Sequence, residues 1–205
     1  MESPLNLLKQ IQALSEQGQH FAHNDFDLTR YKEIEQLCFN IIENLYSVDP
    51  NQLHLEMHEQ NGYKTPKVDI RDVVFNDKNQ LLFVKEKIDG KWSLPGGWAD
   101  IGYTPSEVAV KETREEAGVK VEATKLLAVL DKRCHSHPQD LYYIYKIFIE
   151  CKYIGKDKSD FIETSDAGFF SHDNIPSLST PRNTIEQINM LFDFKNEILT
   201  TPLID

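Results

Sequence analysis

The sequence predicts a mixed α/β domain preceded by a small helical one. Before Pro66, apolar residues recur three or four apart, the period of helices with one buried stripe. After Pro66 they come in short β-branched and aromatic runs separated by polar turns, interrupted and followed by helical stretches. The chain of 205 residues, 40% hydrophobic, is long enough for one large domain or a domain with a small module.

The first helix opens with Ser3 as cap and Pro4 at the first helical position, carries Leu7, Leu8, Ile11 and Leu14, and is expected to end at Gly18. A second helix carries Leu28, Tyr31, Ile34, Cys38, Ile41 and Leu45. The segment around Leu53, Leu55 and Met57 reads equally as a short strand or a helix. Asn61–Pro66 marks a boundary, giving a helical domain over 1–66 and an α/β domain over 67–205. A helical piece of about 60 residues buries little of its own surface. Tyr31, Phe39 and Leu45 are therefore expected to meet a second copy of the chain, the alternative being the chain's own second domain.

Beyond the boundary, "VDIRDVVF" and "LLFVKEK" read as strands joined by the turn "NDKNQ", and "KIDGKW" as another turn. "LAVLDK", the long central "LYYIYKIFIEC" and the short "GFF" complete the strands. Thr184–Phe194, with Ile185, Ile188, Leu191 and Phe192, reads as a helix.

The net charge of −11 argues against non-specific duplex binding, since an acidic surface gains nothing from counterion release. An anionic substrate would need a local cation, and a divalent metal supplies one. Three cysteines, Cys38, Cys134 and Cys151, give no disulfide framework and fit a reducing compartment. The first residues carry no basic stretch followed by an apolar one, and no run of about 18 apolar residues occurs. The expectation is a cytoplasmic protein outside the membrane.

Chemistry concentrates in "SLPGGWADIGYTPSEVAVKETREEAGVKV". Thr104 and Glu107 form a capping-box pattern, Pro105 fits the first helical position, and Gly118 fits a left-handed C-terminal residue, so a helix is predicted over 105–117. Around it, Glu112, Glu115 and Glu116 fall within an arc of roughly 100°. Ser106, Ala109, Val110, Thr113 and Ala117 form a small-residue face suited to close packing on a sheet. Gly96 and Gly97 in the preceding loop let the backbone turn and approach a ligand. Three carboxylates on a rigid face fit a hard cation that prefers oxygen ligands and shares them with phosphates. A plain solvated acidic face explains the glutamates alone; the cap, the glycine loop and the small face favour a site.

This stretch resembles the Nudix box, a 23-residue pattern of Gly, five residues, Glu, seven residues, then Arg-Glu-apolar-x-Glu-Glu-x-Gly-apolar. Gly97 takes the first position; Glu112, Glu115, Glu116, Gly118 and Val119 take later ones. Tyr103 stands in place of the first Glu and Lys111 in place of the Arg. Lys111 keeps the charge and loses the planar fork. Glu107 is a candidate to replace the missing carboxylate as support for the metal region. The resemblance implies an α/β/α sandwich of mixed sheet, and magnesium- or manganese-dependent hydrolysis of a nucleoside diphosphate linked to another group. It makes Glu112, Glu115, Glu116 and the Gly97 backbone the metal-binding set, one glutamate being also a candidate base. With the helical N-terminal part, the chain looks like the Nudix subgroup that includes bacterial CDP-choline pyrophosphatases. That implies a homodimer cleaving CDP-choline to CMP and phosphocholine.

Glu163, with Asp166 as alternative, resembles the late-loop carboxylate that serves as distal metal ligand or base. Arg133, His135 and His137 are candidates to meet phosphate; with Cys134 they are too few for a zinc site. Trp98 is a candidate to stack on a base or shield the site, with plain packing as the alternative. Two other functions stay open: a pyrophosphatase of ADP-ribose or nucleotide sugars that also accepts short 3′ RNA ends, and a non-catalytic nucleotide-binding regulator.

Overall fold

The computed structural model describes residues 3–46, 65–157 and 163–205. The chain divides into two compact units, Met1–Thr65 and Pro66–Asp205. Leu53, Leu55, Met57 and residues 61–64 of the expected boundary lie outside the described residues.

The described part of the first unit is a pair of packed helices, α1 (Pro4–Phe21) and α2 (Asp25–Tyr46). Ser3 caps α1 by accepting from Asn6 N at 3.2 Å. Asn24 Oδ1 accepts from Asp27 N at 2.8 Å and starts α2. Gly18 does not end α1. It lies inside the helix where the Tyr31 ring of α2 presses against its backbone, and a Cβ there would overlap the ring. The period is as expected, but the inner face differs. Leu5, Leu8, Cys38, Phe39 and Ile42 are buried, so Phe39, expected to meet a second copy, is already covered within the chain, and Tyr31 packs on Gly18. Leu7, Ile11 and Leu14 on α1, and Ile34, Leu37, Ile41 and Leu45 on α2, are exposed.

The seven described strands of the second unit form one mixed sheet. They are β1 (Lys67–Phe75), β2 (Leu81–Glu86), β3 (Trp92–Ser93), β4 (Val119–Asp131), β5 (Ile144–Lys156), β6 (Thr164–Phe170) and β7 (Leu203–Ile204). The order is β3-β2-β1-β5-β4-β7, with β6 also on β2. β1 runs parallel to β5 from Lys67↔Ile144 to Phe75↔Lys152, while β4 and β6 lie antiparallel to β5 and β2. Helix α3 (Pro105–Ala117) covers one face through Val108, Ala109 and Ala117, over Ile70, Val74, Leu82, Val84 and Ile149. Helix α4 (Ile185–Lys195) covers the other through Ile188, Leu191 and Phe192, over Val73, Leu81, Phe83 and Phe148. This is the expected α/β/α sandwich, with apolar residues on both faces of its central strands. β4 and β6 run longer than "LAVLDK" and "GFF". Residues 119–126 pair with β5 while alternating with solvent, so they carry too little apolar signal to be read as strand.

One local arrangement places the site. β1 meets β2 only at Phe75↔Leu81, leaving the first half of that β1 edge to another partner. The glycine loop takes it: Ile70 N donates to Gly97 O at 2.8 Å, Asp72 N to Pro95 O at 2.9 Å, and Ala99 N to Val68 O at 2.9 Å. The loop is thereby laid along the sheet as an extra edge.

Candidate active site

Helix α3 starts and ends where its sequence signals say. Thr104 accepts from Glu107 N, Glu107 accepts from Thr104 N, and Gly118 closes the helix at φ 62°, ψ 37°. The buried face is Val108, Ala109, Thr113, Glu116 and Ala117. Ser106 and Val110, expected on it, are exposed, whereas Glu116, expected beside Glu112 and Glu115, is buried. Seven residues after Ala109, Glu116 stands only about 20° from it around the helix. The packing that buries Ala109 therefore buries Glu116.

Gly96 N donates to Glu116 Oε2 at 2.9 Å, tying the carboxylate to the glycine loop. Burial, with Glu86 and Glu112 adding like charge, pushes its pKa up to about 8. Gly96 sits at φ 137°, its backbone against the Ile70 carbonyl. Gly97 lies over Glu112: a Cβ there would come within 3.3 Å of Glu112 Cδ. Lys111 Nζ holds Glu112 at 2.9 Å, Glu115 at 3.8 Å and Asp100 at 3.5 Å, and stands 5.8 Å from the Tyr103 ring centroid. Its carboxylate neighbours, Glu112 first, raise its pKa. Glu107 binds Thr104, so its carboxylate, a candidate to support the metal region, completes the cap.

Thr113 stands where the box calls for an apolar residue. Its hydroxyl donates to Asp72 Oδ2 at 2.9 Å beneath the helix. Asp72 is fully buried, its other oxygen has no described partner, and burial raises its pKa well above the carboxylate range. This bond between a buried carboxyl and a helical hydroxyl pins α3 to β1.

Glu116 opens on a cleft of about 220 Å³. Gly96, Gly97, Trp98 and Glu163 also line it, so the sheet brings these expected site residues together. Glu163 is exposed, and its carbonyl accepts from Lys87 N at 3.1 Å. Asp166 pairs with Lys85 on the β2–β6 ladder. Trp98 is 47% exposed, consistent with a ring left available to a ligand. Lys132 lines the cleft in place of its neighbours Arg133, His135 and His137. Arg133 is held by Asp131 at 2.7 Å and lies 4.7 Å from the Tyr143 ring. His135 Nε2 pairs with Asp205 at 3.0 Å, and His137 Nδ1 bonds the Thr180 carbonyl at 2.7 Å. Burial lowers the pKa of His137 to about 4.

The cleft also holds charged residues that the sequence reading missed. Asp69 is buried between Arg71 (2.7 Å) and Lys146, which neutralise it and hold its pKa down against burial. Lys132 pairs with Asp140 at 2.6 Å, and Arg182 with Glu86 at 2.8 Å. The signal for the first group was Asp69 and Arg71 alternating with Ile70 inside an apolar strand, since a strand interior admits charge only when it is paired.

The donors fit a hard divalent cation. Glu112, Glu115, Glu116 and Glu163 offer carboxylate oxygen, and a cation would offset the cost of charging the buried Glu116 and the like charge of Glu86 and Glu112 around it. Among the described residues no three such side chains already converge, and Lys111 pairs with Glu112 and Glu115.

Comparison with known proteins shows the family of the fold. Residues 65–193 match the NUDIX domain model, and residues 3–55 match the model described as the UDP-X-like, N-terminal oligomerisation domain. A Bacillus subtilis (strain 168) protein with the provisional name ADP-ribose pyrophosphatase YjhB is 42% identical over 93% of this chain and 91% of its own. A crystal structure of an ADP-ribose pyrophosphatase from Streptococcus suis 89-1591 has a TM-score of 0.62 at 38% identity, covering 69% of this chain and 100% of that one. A crystal structure of a UDP-X diphosphatase has a TM-score of 0.63 at 28% identity, covering 98% of this chain and 97% of that one. The capped glutamate helix, the glycine loop laid along β1 and the match over 65–193 together make this chain a member of the Nudix family and one of its hydrolases.

Proposed function

We propose that this protein is a divalent-metal-dependent pyrophosphohydrolase of nucleoside diphosphate sugars, with ADP-ribose as the first candidate and UDP-linked sugars as the second. The observation that carries the reading is Glu116, a buried carboxylate held by the glycine loop at the mouth of a cleft that also contains paired cations. The substrate class follows the names of relatives similar to this chain, which are ADP-ribose and UDP-X. CDP-choline, expected from the resemblance alone, therefore ranks behind both.

Glu112, Glu115, Glu116, the Gly97 backbone and Glu163 would hold the metal, magnesium or manganese. When bound, it offsets the charge of the diphosphate, polarises the attacked phosphorus and makes water more acidic. The chain's own residues do the rest. Gly96 fixes Glu116 Oε2 and leaves Oε1 for water or ligand. Glu116, raised by burial in the metal-free protein, would be ionised beside a bound cation and placed to take a proton from attacking water. Arg71, Lys132 and Arg182 line the cleft, each paired with a carboxylate, so the cleft carries cations among its acids. Trp98 offers a ring face for the base. Water adds across one phosphoric anhydride bond, so ADP-ribose yields AMP and ribose 5-phosphate.

The helical unit is read as the oligomer contact. The exposed stripes Leu7–Ile11–Leu14 and Ile34–Leu37–Ile41–Leu45 leave apolar surface for a second copy to cover, and the matched model is described as an oligomerisation domain. The three free cysteines fit a reducing cytoplasm.

The test is a panel of ADP-ribose, UDP-sugars, CDP-choline and a short RNA, each with magnesium and with products identified. Fast release of nucleoside monophosphate from ADP-ribose or a UDP-sugar supports the reading. Turnover of CDP-choline alone restores the earlier expectation. Nucleotide binding with no turnover contradicts enzymatic function.

A further inference from the structure

We propose that Arg182 is the residue that grips the substrate's diphosphate in the cleft beside Glu116; this rests on the pyrophosphohydrolase reading. Three cations line the cleft, and their commitments differ. Arg71 is buried, with Nε and Nη2 on Asp69 and Nη1 on the Leu94 carbonyl. Lys132 is buried and paired with Asp140 at 2.6 Å. The Arg182 side chain keeps 29% of its exposure, with Nε on Glu86 at 2.8 Å and Nη1 on Ser179 Oγ at a weak 3.4 Å. Nη2 has no described protein partner, so this guanidinium keeps an edge for an incoming anion. Its planar fork suits phosphate oxygens.

The backbone that carries it is fixed. Ser179 N donates to the Trp92 carbonyl at 2.8 Å, and Arg182 N and Asn183 N both donate to the Ser179 carbonyl. Asn183 Oδ1 accepts from Leu94 N at 2.9 Å, with Ser179 and Asn183 fully buried. Leu94 lies two residues before Gly96, which holds Glu116. Hydrogen bonds thus tie the segment carrying Arg182 to the loop that holds the candidate base of α3. Glu86 steadies the guanidinium while itself held by Ser93 Oγ.

The experiment measures binding of methylenediphosphonate, which carries two phosphonates and no hydrolysable bridge, and of adenosine, which carries no charge. Both are titrated with magnesium into wild type, Arg182→Ala and Arg182→Gln, and thermal midpoints are recorded. The expected result is diphosphonate binding weakened by about tenfold or more, with adenosine binding unchanged. Gln can still donate to Glu86, so it decides the matter if the Ala variant does not fold. A folded Arg182→Gln that binds diphosphonate like wild type overturns the inference, as does equal loss of adenosine binding. The two readings fail separately: a wild type that turns over no nucleotide sugar contradicts the pyrophosphohydrolase, whereas unchanged diphosphonate binding contradicts the role of Arg182.

Discussion

Glu116 and Gly96 are joined by one hydrogen bond, and each constrains the other. Glu116→Gln keeps the shape and the bond from Gly96 but removes the charge; turnover should fall at least about a hundredfold with the melting point preserved. A variant near the wild-type rate would displace Glu116 from the site. The adjacent glycines separate folding from function. Gly96→Ala meets the Ile70 carbonyl and keeps a φ of 137°, so it should lose at least about 2 kcal/mol in denaturant unfolding. Gly97→Ala has no such φ and meets only the Glu112 side chain. It should fold normally and lose about tenfold or more in turnover through displacement of that carboxylate.

At the scale of elements, α3 was legible almost completely, because Thr104, Pro105, Glu107 and Gly118 act within one chain segment. What was not legible depends on contacts far apart in sequence. Gly18 reads as a helix end until Tyr31 is seen against it. Glu116 reads as exposed until α3 is docked on β1. Asp69 and Lys146 are 77 residues apart, and no periodicity links them. Arg182 lies in an irregular segment whose role appears only when Asn183 is seen to hold Leu94. The Thr113–Asp72 bond belongs to this hidden layer and makes a prediction. Thr113→Val leaves a buried carboxyl without its donor and should cost about 1–3 kcal/mol, whereas Asp72→Asn, close in shape to the neutral acid, should cost less. Equal losses from the two would contradict the raised pKa of Asp72.

For the whole molecule, pH tests the electrostatics of the site. The raised pKa of Glu116, about 8 against the ordinary 4.5, means that the folded state keeps a proton the unfolded chain has released. Stability from this group therefore falls as pH rises across that window. His137, lowered from 6.5 to about 4, acts oppositely: its contribution is lost as pH falls from 6.5 to 4. The two oppose each other below 6.5. Between 6.5 and 8 His137 no longer titrates, and the metal-free protein should lose stability there as Glu116 gives up its proton, with Asp72, also raised, acting in the same direction. Glu116→Gln should reduce that loss in denaturant unfolding at a series of pH values. The open apolar stripes of the helical unit predict that Leu14→Glu with Leu37→Glu lowers the mass seen by light scattering while leaving the helices formed. The most direct test of the central claim is the release of AMP and ribose 5-phosphate from ADP-ribose with magnesium, wild type beside Glu116→Gln. Turnover in the wild type that is nearly abolished in the variant and stopped by a chelator is the predicted result; metal-independent turnover, or equal rates in the two proteins, would contradict it.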